Sequence, residues 1–128
     1  MKIQALTGLT DEVLKKGLDA SALRQRVTAD NVANVNTPGF KRSTVSFEEN
    51  LNRALENKDA LDQRASVGEV NARVIRDRRT SMRSDHNNVD MDIEMVTLSA
   101  NQIKYNSMIQ LLSDRYGIMR YVINEGRR

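Results

Sequence analysis

Carboxylates and amides cluster between residues 85 and 94, and their oxygens are the kind of ligand that calcium prefers. The members of this cluster are Asp85, Asn87, Asp90, Asp92 and Glu94. A calcium loop of the EF-hand type needs a glycine at its sixth position and a glutamate at its twelfth, and this segment has neither. We therefore expect no metal site here and no cofactor of any kind.

Catalytic chemistry has few residues to draw on in this chain. His86 is the only histidine and there is no cysteine, so a multi-histidine zinc site, a disulfide and a cysteine nucleophile are excluded. A Ser-His-Asp triad would rest on this one loop residue. The six glycines are scattered and form no phosphate-binding loop. We expect that the protein is not an enzyme.

A basic segment supports the alternative hypothesis, a small nucleic-acid-binding helical protein. Residues 64–83 carry six arginines against Glu69 and Asp77, and the sequence RVIRDRR at 73–79 is the densest part. Phosphate groups attract such segments, but no aromatic residue is interleaved for base stacking, and the net charge of the whole chain is only +3. A solvated loop, or contact with an acidic patch of a neighbouring subunit, explains the arginines equally well. We expect no nucleic-acid partner.

Two long helical patterns bracket a polar middle. In the first, apolar residues recur at spacings of three and four, as in a coiled-coil seam. They are Leu6, Leu9, Val13, Ala20, Leu23 and Val27. The first helix is predicted from about Thr10 to Asn34, because Thr10 fits an N-cap and Asp11 with Glu12 places negative charge at the positive end of the helix dipole. The second is predicted from about Asp90 to Asn124, because carboxylates crowd its start and Gly126 lies just past its end.

The second helix carries two apolar stripes that are displaced from each other around its axis. One consists of Ile93, Val96, Ala100 and Ile103, and the other of Tyr105, Met108, Leu112, Met119 and Val122. A helix that is apolar on more than one side needs more than one neighbour. The pattern favours assembly with other chains, and the alternative is a small monomeric bundle in which the middle supplies a third helix.

The middle, residues 43–89, is predicted to be partly extended or disordered. Phe47, Leu51 and Leu55 are spaced by four and predict a short amphipathic helix, while EVNARVI at 69–75 alternates weakly like an edge strand. The sequences NKDALDQRASVG at 57–68 and RDRRTSMRSDHNN at 76–88 are predicted as loop or disorder. The expected fold class is mainly α, with terminal segments 1–42 and 90–128 pairing as a coiled coil within one domain.

The first helix is predicted to end within ADNVANVNTPGFKR, residues 29–42, here called the first block. Thr37 precedes a proline and is pushed out of the helical region, Pro38 fixes φ, and Gly39 accepts the positive φ of a type II turn. The turn directs Phe40. Three asparagines come before it, Asn31, Asn34 and Asn36. Their amides can bond a neighbour's backbone as well as terminate the helix.

The first block resembles the signature of the axial proteins of the bacterial flagellum, the rod, hook and hook-associated proteins. Asp30 stands where that family usually has asparagine. The second block, NNVDMDIEM at 87–95, is followed by NQIKY at 101–105 and resembles the smallest members, the proximal rod proteins, most closely those of the FlgB type. The resemblance covers residues 20–51 and 86–124.

The resemblance implies a structural subunit of the proximal rod that assembles helically with itself and with other rod proteins, as part of the drive shaft and export channel. It implies contact with the MS ring and the rod-adaptor protein at the rod base, on the periplasmic side of the inner membrane. The expected motif and subunit-interface residues are Asn31, Asn34, Asn36, Thr37, Pro38, Gly39, Phe40, Asn88, Val89, Asp90, Asp92 and Glu94.

Delivery to that location needs its own route. The N-terminal sequence is too acidic for a cleavable secretory signal, and no apolar run reaches the length of a membrane span, so no membrane insertion is expected. The resemblance implies export through the flagellar type III apparatus, with an isolated chain that is partly disordered and gains helix on assembly.

The segment FEENL, residues 47–51, has two interpretations. Early export substrates of this family carry a phenylalanine, three variable residues and an apolar residue that the export gate recognises, and Phe47 and Leu51 fit that pattern. Alternatively, the two side chains share one face of a short helix that packs on the subunit. Both can hold at different stages.

Overall fold

The computed structural model of the protein describes residues 2–56 and 60–124, without the side chains of 2–7 and 60–62. The elements of the described chain are α1 (Lys2–Ala33), β1 (Ser43–Ser46), α2 (Glu48–Leu55), α3 (Ala60–Glu69), β2 (Arg73–Arg76) and α4 (Met91–Ile123). The protein is mainly α-helical, and its long terminal helices pack on each other, as predicted.

The helices α1 and α4 are antiparallel. Side-chain hydrogen bonds join them along their length, among them Asn31 to Glu94 at 3.0 Å, Asn101 to the Ser21 carbonyl at 2.9 Å, and Arg115 to Asp11 at 2.6 Å. Near the middle of the pair, a Cβ atom at Gly17 would lie 2.8 Å from the sulfur of Met108, so the absence of a side chain permits close approach. Small and polar residues therefore supply much of the contact between the two helices.

The apolar seam predicted for α1 faces the middle of the chain as well as α4. Ala20, a member of that seam, packs with Phe47 and Val70 in the small buried core, and Leu51 and Ala54 border this cluster. The middle of the chain therefore covers part of the α1 surface that was predicted to pair with the second helix.

The predicted start of α1 is wrong, whereas its end is correct. The helix begins at Lys2, so Thr10 lies inside it and does not cap its N-terminus. Asp11, expected to oppose a helix dipole at that start, instead pairs with Arg115 of α4. Thr10 matches the local pattern of an N-cap, but the residues before it continue the helix. The carboxylate of Asp11 binds Arg115, which is far away in the sequence, so its presence does not mark a helix start.

The boundaries predicted for α4 agree with the structure. The Asp90 side chain caps the helix by accepting hydrogen bonds from the backbone N–H groups of Asp92 at 2.9 Å and Ile93 at 3.3 Å. The helix ends at Ile123, next to the predicted Asn124. Gly126, predicted as the C-terminal glycine, lies outside the described residues.

The middle is more ordered than the sequence predicted. The amphipathic helix appears as α2, and the weak strand pattern appears as β2, which pairs antiparallel with β1 so that Ser43 faces Arg76. The loop prediction for residues 57–68 is wrong from Ala60 onward, because α3 forms there and buries Val67 completely. The loop predicted after β2 is confirmed, since residues 77–90 contain neither helix nor strand.

Candidate functional site

The first block ends α1 in the predicted type II turn. The Phe40 N–H donates to the Thr37 carbonyl at 3.2 Å, and Gly39 has φ of +72°, the conformation predicted for it. The Asn34 amide donates to the Asp30 carbonyl at 2.8 Å and accepts from the Thr37 hydroxyl at 3.2 Å. Asn34 therefore stabilises both the last turn of the helix and the reversal that follows it.

Replacing Gly39 with valine is expected to cost about 1 kcal/mol or more of unfolding free energy, because a β-branched residue disfavours positive φ. The cost is conformational, since no atom lies within 4 Å of a Cβ built at this position. Gly39→Asn is the matched control, because asparagine tolerates the left-handed region. Urea unfolding of both variants measures the difference. Equal stability of the two would contradict a backbone explanation.

Asn87 of the second block binds the end of α1. Its side-chain nitrogen lies 3.1 Å from the carbonyl oxygens of Asn34 and Val35 and 2.9 Å from that of Thr37, and the residue is completely buried. These three carbonyls lie in the turn just after α1, so the Asn87 amide fixes the chain where it leaves the helix. The Gly39 N–H also donates to the Asp85 carbonyl at 2.8 Å, so the loop and the turn are joined through backbone as well.

Asn88 connects the strands to the loop. Its side-chain oxygen accepts from the Arg42 backbone N–H at 2.6 Å, and its nitrogen donates to the Asp77 carbonyl at 3.2 Å and the Thr80 hydroxyl at 2.8 Å. The next residue, Val89, is buried. The asparagine thus bridges the chain before β1 and the chain after β2.

The junction contains a buried carboxylate. Glu94 is 1% exposed and pairs with the Arg42 guanidinium and with the Asn31 amide, which lies 3.0 Å away. The same Asn31 amide also bonds the backbone of Ser43, donating to its carbonyl at 2.8 Å and accepting from its N–H at 2.9 Å. One asparagine therefore joins α1, β1 and α4. This network, with the Asn87 and Asn88 contacts, is called the block junction below.

Of the twelve residues predicted from the blocks, those with contacts in the block junction include Asn31, Asn34, Thr37, Asn88 and Glu94. Asn31, Asn88, Val89 and Glu94 are buried there, while Asn36, Pro38, Gly39 and Asp92 are exposed. Phe40 is half-buried, with the Arg76 guanidinium 5.8 Å from its ring centroid. A subunit-interface role of these residues stays a prediction. Sequence reasoning missed Asn87 and Arg42 as site residues, although both stand inside the quoted blocks.

Phe47 is buried at the start of α2, and Leu51 is half-buried beside it. Next to them, Glu48 accepts two hydrogen bonds of 2.8 Å from Arg24, and Lys104 of α4 lies 3.8 Å away. Partial burial by itself raises the pKa of the Glu48 carboxyl, but its own backbone N–H, Arg24 and Lys104 outweigh this and lower the pKa. The ion pair therefore weakens as the pH falls through that lowered pKa.

An apolar surface runs along α4 on a side that α1 does not cover. It is called the outer stripe and consists of Ile93, Val96, Ala100, Ile103, Leu111, Ile118 and Val122. The first four are the stripe predicted from the sequence. Val96 and Ile103 are 70% and 69% exposed, so these side chains lie largely in water in the single chain.

The fold and the block junction define an elongated helical protein whose polar side chains are used to bond the chain to itself. Within residues 2–56 and 60–124, no group of three or more histidine, aspartate or glutamate residues is placed to hold a metal ion. In the same part of the chain, none of the helices has the length and apolar character that crossing a membrane requires.

Comparison with known proteins identifies the family. The model of the flagella basal body rod protein family matches residues 12–41. The flagellar basal body rod protein FlgB of Borrelia hermsii is 37% identical over 120 residues, which are 83% of this chain and 89% of that protein. FlgB of Borreliella burgdorferi is 32% identical over the same shares of the two chains. FlgB of Bacillus subtilis is 29% identical over 92% of this chain and 95% of its own. The chain belongs to the FlgB family of flagellar basal body rod proteins.

Proposed function

We propose that this chain is a structural subunit of the proximal rod of the flagellar basal body, where it packs against neighbouring copies and other rod proteins. Family membership supports this proposal, since the relatives are named as rod proteins. Nothing in those comparisons supports the alternative of a nucleic-acid-binding protein. The structural observation that carries the proposal is the exposed outer stripe of α4.

The outer stripe is a row of exposed apolar side chains along one helix, and contiguous apolar patches of this kind mark surfaces that bind other proteins. Full burial of a large apolar side chain contributes about 1.5–3 kcal/mol, so its half-exposed residues represent on the order of 5 kcal/mol of burial that the single chain does not gain. Spacings of three and four residues along Ile93, Val96, Ala100 and Ile103 suit packing against another helix. Contacts between different surfaces of successive subunits build open helical arrays, which is the arrangement of a rod.

The finer parts of the proposal concern the surroundings of the subunit. We propose that it meets the MS ring and the rod-adaptor protein at the rod base, on the periplasmic side of the inner membrane. We also propose that it reaches this place through the flagellar type III export gate. These parts rest on the family resemblance.

Placing a glutamate at both Val96 and Ile103 is expected to abolish rod assembly while changing the unfolding free energy of the single chain by no more than about 0.5 kcal/mol. The reason is that both side chains are exposed in the chain but would be buried against a neighbour. The readout is complementation of a strain of a motile species from which the gene for its own FlgB-type protein has been deleted, measured as recovered swimming and as rods isolated with the basal body.

The matched control is Gln102→Glu with Ser113→Glu. These residues are exposed on another side of α4, and the control adds the same two negative charges as the variant at Val96 and Ile103. Motility should be retained in this control. Normal rods with the Val96 and Ile103 variant, or an equal loss of motility in the variant and the control, would show that the outer stripe is not the assembly surface.

A further inference from the structure

The two edges of the β1–β2 sheet differ in how their backbone groups are bonded. On the β1 edge, the N–H and C=O of Ser43 bond the Asn31 side chain, and the Val45 carbonyl lies 3.5 Å from the Arg24 guanidinium. Both partners come from α1. On the β2 edge no further strand follows within the described chain, and all four strand residues are exposed.

The register identifies which groups of β2 face outward. The Asp77 N–H donates to the Arg42 carbonyl at 2.9 Å, and in an antiparallel pair the hydrogen-bonded positions alternate with positions whose backbone groups point away. Val74 and Arg76 are at the outward positions. Nothing in the described part of the chain bonds their backbone N–H and C=O groups. They form a free strand edge, the kind of edge to which another strand can add.

Positive charge surrounds this edge. Arg73 and Arg76 flank the two apolar residues of the strand, and Arg78 and Arg79 follow after Asp77. Within the described residues, the guanidinium groups of Arg73, Arg78 and Arg79 make no hydrogen bond or ion pair. The edge therefore combines unused backbone groups with unneutralised arginines.

Asp77, the one carboxylate among residues 73–79, is hydrogen-bonded to the loop that follows β2. Asp77 accepts from the Thr80 hydroxyl at 2.6 Å and from the backbone N–H groups of Arg79 at 3.0 Å and Thr80 at 3.3 Å. These bonds lower the pKa of Asp77 and hold both of its oxygens away from the arginine side chains.

We propose that the free edge of β2 binds an extended, acidic segment of another protein chain by strand addition. The backbone of the segment would bond Val74 and Arg76, and its carboxylates would lie near Arg73, Arg78 and Arg79, since opposite charges across neighbouring strands stabilise pairing. A second copy's β2 fits poorly, because that pairing brings two arginine-rich segments together. The inference goes beyond the proposed rod function and does not depend on it.

The test uses the full chain and a short probe peptide of alternating glutamate and valine with blocked ends. On binding, the backbone amides of Val74 and Arg76 should gain protection from hydrogen exchange, measured by NMR. The amide of Ile75, already bonded to β1, should be protected before the probe is added and change little. A freely exchanging Ile75 amide in the unbound chain, no binding, or binding that protects amides elsewhere would each overturn the inference.

Two comparisons separate strand addition from attraction by charge alone. In the first, a probe with alternate N-methylated amides keeps its carboxylates but loses the backbone N–H donors that would bond β2. In the second, Val74→Pro removes an outward N–H of β2 without removing a β1–β2 hydrogen bond. Each should weaken binding about tenfold or more, whereas Val74→Thr should not. Arg78→Gln with Arg79→Gln should lower affinity and its salt dependence. Equal binding of the N-methylated probe would mean that the site reads charge only, which contradicts the proposal.

Discussion

Substituting methionine for Arg42 is expected to lower the free energy of unfolding by about 3 kcal/mol, more than any other single change in the block junction. The Glu94 side chain is 1% exposed, and within the described residues Arg42 is its one cationic partner and Asn31 its other hydrogen-bond donor. Removing the guanidinium leaves the Glu94 carboxylate, which is buried in the native chain, without its ion pair. Chemical unfolding followed by circular dichroism measures the loss.

Replacing the other member of the ion pair, Glu94, should lower the free energy of unfolding by less than replacing Arg42. The difference between the two costs tests the prediction most directly. In Glu94→Gln the unpaired group is Arg42, whose side chain is already 29% exposed and can turn to water, so we expect about 1 kcal/mol. A double variant, Arg42→Met with Glu94→Leu, should be more stable than Arg42→Met alone, since no charge stays buried. Equal costs for both single changes would show that the pair acts as an exposed ion pair.

The block junction could be predicted from sequence only in its local half. Thr37, Pro38 and Gly39 determine the type II turn through their own φ preferences, so the turn was predictable. Asn87 binds the turn from 50 residues away along the chain. No periodicity or propensity links those positions, and only the family resemblance of both blocks pointed to them together.

The helices show the same division between local and distant causes. The start of α4 was predictable because Asp90 caps the helix with its own side chain. The sequence of α3 is polar and has no apolar period, yet the helix forms because Val67 is completely buried and α3 packs on α1. Thr10 and Asp11 led to a wrong helix start because they match the pattern of an N-terminus. That pattern carries no information about the residues before them, which continue the helix.

Truncating both Phe47 and Leu51 to alanine is expected to retain most of the subunit in the cytoplasm, which would assign these residues to recognition by the export gate. In the folded chain Phe47 is 5% exposed and packs with Ala20 and Val70, so the gate can read it only when α2 has left α1. Loss of two apolar anchors, each contributing about 2 kcal/mol to an interface, predicts a fall in secretion of roughly tenfold or more.

Packing gives the competing explanation, and Val70→Ala is the control that separates the two. Val70 belongs to the same buried cluster as Phe47 but lies outside the FEENL segment, so its truncation weakens the fold without altering the pattern that the gate would read. We expect Val70→Ala to be secreted normally and to assemble poorly. The measurement is the ratio of secreted to retained subunit in a strain with an intact export apparatus. Normal secretion of the Phe47 and Leu51 variant, with rods failing only afterwards, would leave packing on α1 as the sole role of these residues.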